Sequence, residues 1–348
     1  MLMALSRTYK ISTAIGLCLL SYIIACRCSV AVADTYALYV YPVISAMLSA
    51  ISSLIPWSMQ ESVVVLLIVL AVLIVVRGCR KKQGIWRILL HELTLVLWIF
   101  VWFYMSWCNN YSRSSILART ETPYSQYDEA QFKDFIAEFV DAVNASYTTE
   151  TMTDKPLLEA ETKQFFAQVP ERYGLSRPQS WHHPKPMLFN RFYSAVGVQG
   201  FMAPLFAESC VNEDLLPDEY PFVYAHEYSH LLGVSNEAEA HWWAYHVGMA
   251  SKHKSVRYSS YKSILPHVMV NAHRLLTDEE YRIWYEKIRP EVIEDLRRSS
   301  QHWQALRSVW LDDMQTSIYD LFLKSNRIES GRKNYSEVVQ LIISVKYQ

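Results

Sequence analysis

Residues 63–76, VVVLLIVLAVLIVV, form a run without a charge, a proline or a glycine. A backbone so surrounded by hydrocarbon must satisfy its own N–H and C=O groups, which leaves a helix as the structure it can adopt in a bilayer. A helix needs about 20 residues to cross about 30 Å of hydrocarbon. With its flanks, this run gives a span over residues 60–77. Two more spans are expected, over 9–31 around ISTAIGLCLLSYIIAC and over 85–107, IWRILLHELTLVLWIFVWFYMSW. The first is the weaker, because Arg27 closes its apolar run. Basic residues ahead of Ile-Ile-Ala-Cys26 also allow a lipoprotein signal in its place. Residues 35–57 are apolar but carry Pro42 and Pro56, so they read as an interfacial or re-entrant segment.

Arg77, Arg80, Lys81, Lys82 and Arg87 crowd the turn between the second and third spans. The positive-inside rule places that turn in the cytoplasm. Arg7 and Lys10 then also lie inside. Residues 108–348 emerge on the extracytoplasmic side, which in a bacterial inner membrane is the periplasm. The Trp and Tyr residues near 102–111 suit an interfacial belt. The formal charge of −1 offers no field for nucleic acid, and none is expected as a partner. Six scattered cysteines outline no disulfide framework.

The remaining chain has ordinary globular polarity. Residues 108–126 read as a linker and 127–348 as a domain large enough to bury a core. Apolar spacing of three and four predicts helices from about 127 and over 156–170. Residues 187–212 lack that period and predict one or two short strands. Helix resumes after Pro221, with breaks near 233–236, 251–256 and 325–335. The fold class is therefore a membrane-anchored, mainly α protein with a small β-sheet (α+β).

Within FVYAHEYSHLLG, His226 and His230 are four residues apart, so a helix stacks both imidazoles on one face. That suits two ligands of a tetrahedral zinc, with Glu227 beside them to reach a water on the metal. Eleven histidines and at most 34 acids in 348 residues give roughly 0.03 chance occurrences of this pattern. The helix is also too apolar for two solvated surface histidines. Pro221 suits its start and Gly233 its stop.

A third ligand is required. Asn236 stands where a third histidine could follow, but an amide is a poor zinc ligand. As an N-cap it would place Glu239 at N3, folded back in a capping arrangement. That leaves Glu237 as the expected third ligand, with Glu239 and then His241 as alternatives. His241 shares a face with Glu237 and is a candidate supporting group or transition-state donor, as are Tyr258 and Tyr261. His246, His253, His267 and His273 read as solvated or capping residues rather than a second metal site. His182 and His183 read as loop residues, and His91–Glu92 as a polar pair at a span's cytoplasmic end.

The stretch HEYSHLLGVSNEAEAHWWAY resembles the zincins, in particular the gluzincins with a glutamate third ligand. Glu237–Ala240 is similar to the Glu-x-x-Ala run of the membrane CAAX-prenyl peptidases, with His241 standing where those have an Asp. Over nearly its whole length the chain more closely resembles a Bacteroidota membrane-protein family of unknown function. The likeness lies in YPVIS, IPWS, WCNNYSR, PKPMLFNRFYSAVGVQGFMAPLFAESCVN, RYSSYKS and YDLFLKSNRIESGRKNYSEVVQLI. It implies three N-terminal spans and a zincin-like domain with zinc as cofactor. The expected activity is a metallopeptidase with Glu227 as general base. Its substrate would be a peptide or protein, membrane-proximal ones included, laid along an edge strand within 196–206. The competing expectation is a membrane scaffold or receptor with structural zinc.

Overall fold

The computed structural model of the protein describes residues 7–123, 129–308, 310–311, 326 and 337–345. The break expected near 325–335 and the end of the linker lie largely outside them. Among the described residues, four helical stretches are long and apolar enough to cross a membrane: Lys10–Cys28, Val30–Ser52, Met59–Arg80 and Ile85–Ser106. The first belongs to α1 (Arg7–Cys28), and the last two are α4 and α5. Most of their apolar side chains face outward, as in a helix solvated by lipid. α1 and α5 run parallel, tied by Trp98 Nε1 to Ser12 Oγ at 3.1 Å and Arg27 to the Tyr104 hydroxyl at 3.0 Å.

The helical segment 30–52 overlaps the stretch 35–57 that reads as interfacial or re-entrant, and begins earlier. Pro42 does not break it. The chain runs helically through α2 (Val30–Thr35), a π-helical turn (Tyr36–Val40) and α3 (Tyr41–Ser52). A proline inside an α-helix removes one N–H and presses on the carbonyl a turn back. Widening that turn to i→i+5 pairing, as Tyr41 N–H makes to Tyr36 O, takes up the misfit. Pro56 lies in the turn before α4.

This segment is held along its length by the polar part of the chain. Asp34 accepts from the Ser114 N–H and hydroxyl at 2.8 and 3.0 Å. The buried Tyr41 hydroxyl donates to Leu231 O at 2.7 Å. Ser49 meets Trp181 Nε1 at 3.0 Å and His182 Nε2 at 3.1 Å. The Ser52 carbonyl accepts from Lys185. Its outer face shows Tyr39, Val43, Met47 and Ile51.

The start of α4 is clamped reciprocally. Glu208 accepts from the Met59 and Gln60 N–H groups, both at 3.0 Å, which caps the helix. Glu61, in the first turn of α4, accepts from the N–H groups of Leu188 and Phe189 at 2.9 and 2.8 Å. Glu208 also binds the buried Lys185 at 2.7 Å. Each is a charge-assisted bond, a class contributing about 1.5–3 kcal/mol.

Beyond these apolar helices the described residues are mainly helical with one small sheet, as expected. After the short α6 (Ile116–Arg119), α7 (Glu129–Ser146) and α8 (Lys155–Gln168) occupy the two predicted stretches. The sheet has the order β1 (Pro184–Pro186), β3 (Glu208–Val211), β2 (Gly200–Ala203). β1 pairs with β3 in parallel and β2 with β3 antiparallel, so β2 is an edge. A short helix, α9 (Asn190–Ala195), precedes β2. Then come α10 (Tyr220–Leu231), α11 (Glu237–Ala250), α12 (Lys254–Leu275), α13 (Asp278–Tyr285), α14 (Pro290–Leu306) and α15 (Val338–Ser344). α10 is buried on every side, packed by α11, α12 and the sheet.

Candidate metal centre

α10 begins with Pro221 in its first turn and ends where Gly233 adopts φ +99°, a left-handed conformation that costs glycine little. That turn returns the chain so that Val234 O accepts from His230 Nδ1 at 2.7 Å. The hydrogen bond fixes the tautomer and leaves Nε2 to face inward. Asn236 caps α11 by accepting from Glu239 N–H at 2.9 Å. α11 then crosses α10 and brings Glu237 onto the two imidazoles.

The three expected ligands converge. His226 Nε2 and His230 Nε2 lie 3.0 Å apart. Glu237 Oε2 is 3.2 Å from the first and 3.4 Å from the second. Ligand atoms at 2.0–2.1 Å around a tetrahedral zinc stand about 3.3 Å from one another. Glu239, the alternative, points elsewhere. Its carboxylate binds Arg119 and accepts from Trp243 Nε1 at 3.2 Å, so it does not fold back on Asn236.

Burial of this charge needs balance. Burial alone would raise the Glu237 carboxyl, but His230 and His226 hold it well below the usual range. Burial lowers His230, yet Glu237, Glu227 and the Val234 carbonyl prevail and raise it to about 9. Burial dominates at His226 and lowers it despite Glu237. Without a cation, one imidazolium on His230 thus neutralises Glu237, and a divalent ion would replace that proton.

Glu227 is buried, and its Oε2 has no hydrogen-bond partner. Burial pushes it up to about 8, against the pull of His230 and of the Met202 N–H, while Glu237 pushes it further. β2 lies directly on this side chain. A Cβ at Gly200 would stand 2.6 Å from Glu227 Cγ.

His241 sits in the same cluster, its ring centroid 4.5 Å from that of His226 and 5.2 Å from that of His267. Its Nδ1 donates to Glu237 O at 3.0 Å. A carbonyl can only accept, so Nδ1 carries the proton, and burial with the nearby His226 and His267 keeps the ring neutral. Nε2 therefore bears a lone pair, which fits a ligand or acceptor and not the transition-state donor expected from sequence. His226, Glu237 and His241 each bring a ligand atom within 4.8 Å of the others. Among the described residues no second cluster of this kind occurs.

The two tyrosines are not brought to the site. Tyr258 donates to Asp295 Oδ2 at 2.6 Å, and Tyr261 packs on Phe139 and Tyr245. Ser263, Pro266 and His267 turn α12 toward the cavity. At 100° per residue Tyr261 lies about 160° round from Ser263, on the other face. His253 pairs with Glu161 at 3.2 Å, and His246 and His273 rest against Trp242 and Tyr281.

Four contributors escaped the sequence reading. Gly200 and the Met202 N–H set β2 on Glu227, His267 joins the histidine cluster, and Trp107 caps it. The Trp107 indole N–H donates to His230 O at 3.0 Å, and its ring stands edge-on to His230 at 6.1 Å. Trp107 gave a signal as part of the aromatic belt, and Gly200 and Met202 lie within the edge strand expected in 196–206. The site opens into a cavity of about 780 Å³, walled by β2 on one side and by Phe103 and Trp107 on another.

The profile of a family described as "Protein of unknown function (DUF3810)" matches residues 36–343. No curated protein and no solved structure matches the chain.

Proposed function

The chain belongs to the DUF3810 family, and from the geometry of its own site we propose that it is a membrane-anchored zinc metallohydrolase, a peptidase of the zincin type. The observation that carries this reading is the triangle of His226, His230 and Glu237 ligand atoms, 3.0–3.4 Å on a side, with the unpartnered Glu227 Oε2 buried beside it. A borderline cation with imidazole and carboxylate preferences fits that donor set. When bound, zinc would polarise the scissile carbonyl and acidify the attacking water.

The chain's own residues supply the rest. Glu227 accepts the proton of the attacking water as its oxygen bonds to the carbonyl carbon. As the C–N bond breaks, Glu227 passes that proton to the leaving amine. Val234 O and Glu237 O hold His230 and His241 in single tautomers. β2 offers its open edge beside Glu227, where an extended polypeptide would add as a fourth strand.

The membrane topology belongs to the same proposal. Segment 30–52 is bound to the polar domain near its beginning, middle and end, so it lies along the domain at the bilayer surface. That leaves α1, α4 and α5 as three crossings. The basic turn after α4 then stays in the cytoplasm, and the site faces the extracytoplasmic side of a bacterial inner membrane.

A second reading is a structural zinc in a non-enzymatic scaffold or receptor. The nearness of His241 favours it, because four protein ligands close a site. Zinc content and peptide turnover of the purified full-length protein, beside Glu227→Gln, separate the two. The peptidase reading requires the variant to keep zinc and lose turnover by about 10²–10⁴-fold. Zinc binding without turnover in the wild type supports the scaffold, and absence of zinc ends both.

A further inference from the structure

We propose that the substrate is a polypeptide anchored in the same membrane and cut within about six residues of the hydrocarbon edge. This rests on the hydrolase reading above and adds the substrate class.

The cavity is built onto the end of a membrane helix. α5 has 22 residues, a rise of about 33 Å against about 30 Å of hydrocarbon. Nearly the whole helix is taken up by the crossing, which sets Phe103 and Trp107 near the bilayer boundary. Both line the cavity. The Trp107 ring is 6.1 Å from the ring of His230. The metal position therefore lies within roughly 10 Å of the hydrocarbon edge, near the outer limit of the headgroups. An extended chain covers that distance in about three residues.

The edge strand points the same way. Beyond Ala203, β2 turns back through Leu205 and Phe206, which rest on α5. Leu205 O accepts from Trp102 Nε1 at 2.9 Å, and the Phe206 ring lies 6.4 Å from that of Trp102. A strand paired with β2 thus has one end directed at the bilayer.

A second part of the rim also sits at the surface. Leu188 and Phe189 bind Glu61 at the top of α4. Their side chains and that of Phe192 are exposed and apolar. The same short segment turns Tyr193 and Val196 into the cavity. Residues that seat in the interface on one side and line the cavity on the other place its mouth at the membrane. A chain already confined to that surface needs no extraction from water to reach the edge strand.

The test uses full-length, zinc-loaded protein in phosphatidylethanolamine–phosphatidylglycerol liposomes. It is given a library of 20-residue randomised segments joined at either end to a polyleucine membrane anchor, and the same library without the anchor. Mass spectrometry reads the cut positions. We expect cuts clustered within about six residues of the anchor, at least tenfold faster than in the free library, and absent with Glu227→Gln. Equal cutting of the free library, or cuts spread evenly along the anchored segments, overturns the substrate class and leaves the hydrolase. Zinc-loaded protein that cuts neither library overturns the hydrolase reading, and this proposal with it.

Discussion

Gly200→Ala tests the relation between β2 and the general base. The added Cβ would stand 2.6 Å from Glu227 Cγ, 2.7 Å from Oε1 and 2.9 Å from Cδ. Ordinary contact begins near 3.4 Å, so strand and side chain must part by about 0.5–0.8 Å. Misplacement of a catalytic group by about 1 Å can cost on the order of 10²-fold in rate. We expect turnover of a peptide probe to fall by about that factor. Overpacking should cost about 1–3 kcal/mol in stability. Zinc should stay at wild-type stoichiometry, because the three atoms nearest the new methyl all belong to Glu227 and none to a ligand. Gly84→Ala is the control, since nothing lies within 4 Å of its Cβ. The assay pairs steady-state turnover with metal analysis and thermal unfolding. Wild-type turnover in Gly200→Ala would refute the contact as functional, and loss of zinc would refute the separation of base from ligands.

Other perturbations follow from the same geometry. Glu208→Gln leaves the buried Lys185 without its charge partner and weakens the α4 cap, so unfolding of the extramembrane domain should become easier by about 3–5 kcal/mol, read by chemical denaturation in detergent. Zinc binding should release more than one proton at pH 7.5, because without metal His230 is raised to about 9 and the neighbouring Glu227 to about 8, and the cation displaces both protons; titration calorimetry in buffers of different ionisation enthalpy counts them. In the metal-free protein the raised pKa of His230 contributes stability that is complete below about pH 6.5 and lost as pH rises through about 9. His182 behaves oppositely. Burial, then the charges of Lys163 and His183, depress it to about 3, so stability present above about pH 6.5 is lost as pH falls toward 3. His182→Gln should flatten that acid limb in a pH series of melting temperatures. Tyr258→Phe should lower stability by about 1–2 kcal/mol through loss of the Asp295 bond and leave kcat unchanged.

What the sequence showed clearly was local. The helical spacing of His226, Glu227 and His230 needs only one turn of chain, and the Asn236 cap separates Glu237 from Glu239 within four residues. What it hid was distant. Arg119 claims Glu239 from 120 positions away, and Gly200 reaches Glu227 only after the sheet has formed. β1 is Pro-Lys-Pro, which carries no strand signal and is tolerated because it is an edge strand. The π turn before Pro42 absorbed a proline that reads as a break. Two helix starts also carry a local signal. Thr277 and Glu280 form a capping box at the start of α13, and Arg289–Pro290 opens α14.

The most direct test is anomalous scattering at the zinc edge from crystals of the full-length protein. The account predicts one strong peak, about 2.0–2.1 Å from Nε2 of His226 and His230 and about 2.0–2.2 Å from the Glu237 carboxylate, with a coordination position open toward Glu227. No peak after zinc supplementation, or a fourth bond from His241 that shuts the position facing Glu227, would contradict it.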